Sequence, residues 1–378
     1  MKLADATSSL SRRPLFARTP EAGLVVVILL LGLVLMVFGG SVKRPKFEPG
    51  PDGSRQRVFT TAADGERTLV FEEVNKFLNA QNLAQLAKDT SFTAIMAVGV
   101  TFVIIAGGID LSMGAIYALA SVLGALVFHR FGPEGPQGGS ALLGVVLGVG
   151  TCVGVATLCG VLNGGMITLL KVHPFIITLG TMAIFRGAAF VITGGQSIGG
   201  FPKEFRALVR PEADGGLSLV PLGVMLVVSV AGGIYLSRLA AGRRIYAIGG
   251  NELAGRYSGL RVDLVKLSVF LFSGIAAGIA ALLALGYYGA ASSGDANGKE
   301  LNVIAAAVVG GASLTGGKGS ALGALLGALI IQMIDSGIVI LGIDQNYSQI
   351  IVGAAIILAV LLDQLNNWLA RRRLTKTS

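Results

Sequence analysis

Leu264-Val265-Lys266-Leu267-Ser268-Val269-Phe270-Leu271-Phe272-Ser273-Gly274-Ile275-Ala276-Ala277-Gly278-Ile279-Ala280-Ala281-Leu282-Leu283-Ala284-Leu285-Gly286-Tyr287-Tyr288 carries a single charge, at Lys266. The core of a bilayer takes about 20 apolar residues per helix, so this run predicts a membrane-crossing helix. Gly274 and Gly278, four apart, fall on one face and open a groove for a neighbouring helix. Working outward, further apolar runs lie at 22–40, 91–107, 111–129, 141–170, 174–193, 217–237, 301–315, 319–342 and 348–369. Gly144, Gly148, Gly150, Gly154, Gly160 and Gly164 mark the run 141–170, and Gly319, Gly323 and Gly327 mark 319–342. The chain therefore predicts an all-α fold: a polytopic transmembrane helical bundle of about 10 spans with tight helix–helix contacts. The runs 91–107 and 111–129 are separated only by Gly107-Gly108-Ile109-Asp110.

Composition points the same way. Of 378 residues 53% are hydrophobic and 13% charged, and the mean hydropathy is +0.74. Soluble proteins carry about 25% charge, so an ordinary soluble enzyme and a disordered chain are both excluded. The 55 glycines follow no period of three and are not collagenous. Cys152 and Cys159 would lie about 10.5 Å apart on one helix, too far for a disulfide; both read as small buried residues.

A net charge of +9 would suggest nucleic acid in a soluble domain. Here its distribution is the test. With the N-terminus inside and ten helices threaded, Lys2, Arg12, Arg13, Arg18, Lys171, Arg238, Arg243, Arg244, Arg256, Arg261, Lys266, Lys318, Arg371, Arg372, Arg373 and Lys376 all fall inside. The short outer loops hold only Arg130, Lys203, Arg206, Arg210 and Lys299. That asymmetry obeys the positive-inside rule, predicts both termini in the cytoplasm, and accounts for the charge without nucleic acid. The organisation read from it is a cytoplasmic N-terminal segment at 1–21, a membrane domain at 22–370 and a basic cytoplasmic tail at 371–378. The first apolar run is read as a retained helix. The membrane domain carries an outside loop at 41–90 and a long cytoplasmic loop at 238–266. Residues 43–68, rich in Pro, Gly and mixed charge, predict an exposed mobile loop; 69–80 predicts an interfacial amphipathic helix or plain loop.

No catalytic constellation is present. The nearest approach to a Walker A motif, Ala312-Ser313-Leu314-Thr315-Gly316-Gly317-Lys318-Gly319, lacks the first glycine and the hydroxyl that holds Mg²⁺. No metal spacing exists, and His173, before Pro174, reads as a turn residue. Polar residues at membrane depth are costly and informative. Asp110 predicts a cap for the following helix. Arg186 needs an acid, carbonyls or water, with Asp335 as a candidate partner. Asn163, Thr178, Gln332 and Gln349 offer hydrogen bonds to a polar solute or to neighbouring helices. A stand-alone ion-coupled secondary transporter would need a coupling site around Asp110, Asp335 and Arg186.

Within the cytoplasmic loop, Gly249-Gly250-Asn251-Glu252-Leu253-Ala254-Gly255-Arg256-Tyr257-Ser258-Gly259-Leu260 encodes a short helix. Asn251 suits the N-cap, Glu252 the first turn and Gly259 the stop. Leu253 and Tyr257, four apart, form one apolar knob. Such a helix suits docking to a cytosolic partner, or is an ordinary interfacial loop.

Four stretches together resemble one family: Ala94–Gly99 leading into Gly107-Gly108-Ile109-Asp110-Leu111-Ser112; Pro174-Phe175-Ile176-Ile177-Thr178-Leu179-Gly180-Thr181; Gly242–Glu252; and Ala305–Gly311 through Ser313–Gly319. In this order, over about 83–365, the chain resembles the inner-membrane permease subunits of bacterial ABC importers for simple sugars of the ribose, xylose and galactose type. The resemblance implies a bacterial inner-membrane location and a pore of two permease subunits, either two copies of this chain or a paralogue pair. It also implies a periplasmic sugar-binding protein and cytoplasmic ATP-binding subunits that carry the ATP and Mg²⁺. It further implies that the segment with Gly249, Gly250, Asn251, Glu252, Leu253, Arg256, Tyr257 and Gly259 couples to the ATPase. The candidate translocation path or buried polar pairs are Asp110, Asn163, Phe175, Thr178, Arg186, Gln332, Asp335 and Gln349.

Overall fold

The helix at Ala80–Ile105 is buried on every side from Ser91 to its end. A helix apolar all round belongs at the centre of a bundle, and the rest of the fold is arranged about it. The computed structural model describes residues 20–49, 55–61, 67–133, 135–137, 140–211, 218–355, 357–358 and 361. The chain runs through α1 (Pro20–Phe38), six short strands, α2 (Ala80–Ile105), α3 (Met113–Phe131), α4 (Ala141–Leu170) and α5 (Pro174–Thr193). It continues through α6 (Lys203–Val209), α7 (Val220–Arg238), α8 (Ala240–Gly250), α9 (Glu252–Tyr257), α10 (Val262–Tyr288), α11 (Lys299–Val309) and α12 (Ala321–Ile340). Among the described residues, 8 helices are long and apolar enough to cross a membrane: α1, α2, α3, α4, α5, α7, α10 and α12.

The glycine ladders do what their spacing predicts, on one face only. A Cβ on Gly160 would lie 3.1 Å from the Gly274 Cα, and one on Gly278 2.8 Å from the Ala156 Cβ, so α4 and α10 touch backbone to backbone. Gly150 and Gly154, off that face, look into open space. Cys152 and Cys159 are free and buried, as read. By contrast, α1 packs only along one edge, where Leu35 and Gly39 meet Gly337 and Ile340 of α12; Phe77, Leu86 and Met333 complete that small cluster.

Three expectations are corrected. The run 301–315 is no full-length helix: α11 has 11 residues, about 16 Å. It stops because Gly311, at φ +93°, closes a left-handed cap in which Ala312 N–H donates to Ala307 O and Gly311 N–H to Val308 O, each at 2.9 Å. The loop at 238–266 contains a second helix, α8, besides the short α9. Third, the described residues of the insert after α1 form paired strands, with no amphipathic helix over 69–79, so the fold is not purely α. It pairs β1 (Ser41–Pro45) with β6 (Phe71–Asn75), β2 (Phe47–Pro49) with β3 (Arg55–Arg57), and β4 (Phe59–Thr61) with β5 (Arg67–Leu69), all antiparallel. Residue 348 begins a further helical stretch, described to 355; most of the expected span to 369, the N-terminal residues 1–19 and the tail 371–378 lie outside the described residues.

The three strand pairs meet at a ring of backbone hydrogen bonds. Lys46 N–H donates to Val70 O, Val70 N–H to Val58 O and Val58 N–H to Lys46 O, at 2.8–3.0 Å. These three residues are equally spaced, and the sequence around them repeats: Phe47 and Phe59 each open a Phe-x4-Asp-Gly-x-Arg-x-x-Val unit, and Phe71 recurs at the same spacing without the rest of the motif. The insert is thus an internal repeat that folds into a pseudo-threefold module, a signal present in the sequence and missed by reading it for hydropathy alone.

Candidate functional site

Helix α9 is built as its residues require. The Asn251 side chain accepts from Ala254 N–H at 3.0 Å, satisfying a donor that a helix start leaves open. At the other end Gly259, at φ +81°, lets Leu260 N–H reach Gly255 O and Gly259 N–H reach Arg256 O, each at 3.1 Å, a Schellman cap. Two ion-pair links then fix the helix to the first turns of α10. Lys266 Nζ lies 2.8 Å from Glu252 Oε2, and Arg256 bridges Glu252 Oε1 at 3.4 Å and Asp263 Oδ1 at 3.3 Å. The hydrogen bond from Lys266 holds the Glu252 carboxyl below its ordinary value. Leu253 and Tyr257 stand 67% and 90% exposed on the outside of this fixed helix.

The base of the segment is packed without slack. Gly249 and Gly250 end α8 against the end of α2 and against the loop that precedes α12. A Cβ on Gly249 would overlap the Ile105 carbonyl and stand 2.7 Å from Gly317 N. Gly317 N–H donates to Ile105 O at 2.8 Å, and Tyr246 OH donates to Gly319 O at 2.7 Å. Gly316 and Gly317 hold φ +85° and +73°, conformations glycine adopts without penalty. Three separately noted stretches, Gly107-Gly108, Gly249-Gly250 and Gly316-Gly317, therefore meet at one point. The Walker-like residues form part of this junction.

Above the junction lies a buried polar group. Asp110 is 1% exposed. Its carboxylate accepts from Ser112 N–H at 2.9 Å and Ser112 Oγ at 2.6 Å, and from Ser273 Oγ of α10 at 2.6 Å. Asn163 of α4 donates to Ser112 Oγ at 2.7 Å, and Thr178 of α5 donates to Ile109 O at 3.2 Å. Asp110 is not the cap of α3, since Ser112 holds the N-cap position with no side-chain cap hydrogen bond; Asp110 instead fixes the turn ahead of it through Ser112 and ties the α2–α3 break to α10. Ser112 and Ser273 were not legible as partners, because serine in an apolar run carries no directional signal. His173 caps α5 by accepting from Phe175 N–H at 3.3 Å.

At the opposite end of the bundle, Arg186 does not pair with Asp335. It contacts Glu300 Oε1 at 2.9 Å and the carbonyls of Ser293 and Asp295 at 2.9 and 2.6 Å. Asp335 instead accepts from Ser348 Oγ at 2.9 Å and Asn302 Nδ2 at 3.3 Å. Depth in the apolar runs points to Asp335, but Glu300, in the first turn of α11, is the acid that faces Arg186. Nearby, Lys88 is buried against the rings of Tyr287 and Tyr288, at 4.7 and 5.0 Å, and paired with Asp89 at 3.0 Å. Gln332 is half-buried, and Phe175 and Gln349 are exposed. Asp110, Arg186 and Asp335 belong to three separate hydrogen-bonded groups, so the constellation a coupling-ion site would need is not assembled. Among the described residues, no group of acids, histidines and cysteines is placed to hold a metal.

The chain has relatives among known proteins. Residues 82–360 match the family described as "Branched-chain amino acid transport system / permease component". The chain is 37% identical over 289 residues to the D-allose transport system permease protein of Escherichia coli K12, covering 76% of this chain and 85% of that protein. It is 36% identical over 288 residues to the ribose import permease protein of Bacillus subtilis, covering 76% and 86%. It is 31% identical over 318 residues to the autoinducer 2 import system permease protein LsrD of E. coli O9:H4, covering 80% and 92%. The family match begins beyond the strand module.

Proposed function

The chain belongs to the branched-chain amino acid transport system/permease component family, and from that premise we propose a specific division of labour. It is the transmembrane permease subunit of an ATP-binding-cassette importer, and a simple, ribose-like monosaccharide is its cargo. A periplasmic binding protein presents the sugar, a second permease subunit completes the pore, and cytoplasmic ATP-binding subunits hydrolyse ATP below. The protein sits in the bacterial inner membrane with both termini in the cytoplasm. Ten crossings result when α11 with the non-helical chain after it, and the segment beginning at Ser348, are counted with the eight long helices. The strand module and the Arg186–Glu300 group then lie outside, and α8–α9 inside. The candidate path faces include Phe175, Gln332 and Gln349.

The observation that carries the coupling role is the seating of α9. An exposed apolar pair stands on a helix held by caps and ion pairs, while its base touches the end of the central helix through backbone atoms. Closure of the ATP-binding subunits displaces α9; because the junction has no compressible side chain, the displacement reaches α2 and the start of α12. The bundle then rocks to open the path on the other side. The chain supplies lever and path, with no catalytic group of its own.

The test is Leu253→Asp with Tyr257→Asp in the assembled transporter. Both side chains are exposed, so thermal stability of the permease should change by no more than about 0.5 kcal/mol. Sugar-stimulated ATP hydrolysis and uptake should fall to background. Full uptake by the double variant would remove α9 from the coupling path.

A further inference from the structure

Two cavities lie one above the other between α7 and α10. The first, about 510 Å³, is lined by Tyr235, Arg244, Arg261, Leu264 and Ser268 among others. The second, about 230 Å³, is lined by Phe102, Val228, Ala231, Tyr235, Phe272 and Ile279 among others. Tyr235 lines both, so a chamber of mixed polarity that carries two arginines continues into an apolar groove. On α10 the lining residues Leu264, Ser268, Phe272, Ala276 and Ile279 recur at helical steps of three and four, one continuous stripe. From Leu264 to Ile279 it runs about 22 Å, more than the roughly 15 Å depth of one leaflet's hydrocarbon.

The charge inventory of the lower chamber is unbalanced. The acids of the α8–α10 corner are already engaged, Glu252 with Arg256 and Lys266, and Asp263 with Arg256. Among the described residues no carboxylate pairs with Arg244 or Arg261. Arg244 lies on α8, which follows α7, and Arg261 sits at the N-cap of α10, so both flank the end of the groove nearest the coupling segment. Guanidinium groups match phosphate oxygens in geometry and charge, and basic pockets between membrane helices suit anionic lipid headgroups. We propose that this is a binding site for one anionic phospholipid, its phosphate between Arg244 and Arg261 and one acyl chain in the α7–α10 groove. Tyr235 marks the boundary between headgroup and chain. The assignment to the cytoplasmic leaflet rests on the orientation proposed above; the site itself does not. A bound lipid would wedge α7 and α8 against α10, and so tune how firmly the coupling segment is held.

The full chain, purified in neutral detergent, is titrated with phosphatidylglycerol and its thermal midpoint followed. Phosphatidylglycerol should raise the midpoint; phosphatidylcholine and inorganic phosphate at equal concentration should not. Arg244→Ala/Arg261→Ala should need at least about tenfold more phosphatidylglycerol for the same shift, the loss of one charge-assisted contact or more. The corresponding double lysine variant should retain part of the response. Ala231 is exposed in the groove, so Ala231→Phe fills it without displacing a neighbour and should weaken the response several-fold. A full response to inorganic phosphate alone would make this a free-anion site and overturn the proposal. So would wild-type lipid response in both the arginine and Ala231→Phe variants. Loss of ATPase-subunit binding by the arginine variant with its lipid response intact would assign the arginines to subunit docking, again overturning it. None of these outcomes bears on Leu253 and Tyr257, whose test above stands separately.

Discussion

The glycine junction beneath α2 and the Arg186 group at the other end of the bundle are held together by different physics, even though ion pairs fasten α9 beside the junction. At the α8–α9 end, Gly249, Gly317 and Ile105 meet through main-chain atoms, and a Cβ would collide. At the other end, Arg186 of α5 meets Glu300 of α11 through long charged side chains, and Lys88 pairs with its neighbour Asp89 within α2. Backbone contact is stiff and cannot be remade a few ångströms away. Side-chain ion pairs can swing, exchange partners or admit water. A machine driven from one end and loaded from the other benefits from that asymmetry, since force must pass through the first and solute must pass by the second.

The sharpest way to break the contrast is Gly249→Val. Overpacking at a contact this close costs about 3 kcal/mol. Expressed as a barrier to the transport cycle, that slows uptake by on the order of a hundredfold. Uptake by reconstituted transporter measures it; activity near wild type would show that the junction yields after all. A smaller effect is expected from Arg186→Ala. It strands Glu300, whose side chain is only 7% exposed, but Arg186 itself is 21% exposed. The loss is therefore below that of a fully buried pair, about 2 kcal/mol in thermal or denaturant stability. A Glu300→Gln partner change should recover part of it, as expected for a contact made of side chains.

The smallest effect concerns the ionic links that fasten α9. Glu252 titrates below its ordinary value of 4.5 because Lys266 hydrogen-bonds the ionised form. A depressed carboxyl stabilises the fold above its unfolded pKa and ceases to do so as pH falls through the folded value. The stability difference between wild type and Glu252→Gln should thus be constant from neutral pH down to about 5 and vanish in stronger acid. Being half-exposed, the link is worth at most about 1 kcal/mol. A difference that instead grew on acidification would reverse the assigned sign.

The same contrast explains what the sequence disclosed. Features set by local rules were legible: the caps at Asn251 and Gly259, the exposed pair Leu253 and Tyr257, the small-residue face of α4, the His173 turn. Features set by which distant segments meet were not. Nothing local says that Ser273 faces Asp110, or that Glu300 lies nearer to Arg186 than Asp335 does. The α11 stop was written in Gly310-Gly311, yet an uninterrupted apolar run outweighed it. The strand module was missed for a different reason: its regularity lies in recurrence, and hydropathy registers only polarity.

That module also has a use. Ser41 is paired with Asn75, and Lys76 N–H reaches back to Gly40 O at 3.0 Å, so the chain leaves the bundle and rejoins it at almost the same point. The helices experience the whole excursion as a short hinge pin, and a fluorophore or an antibody epitope grafted between β2 and β3 would ride on the importer without straining its frame.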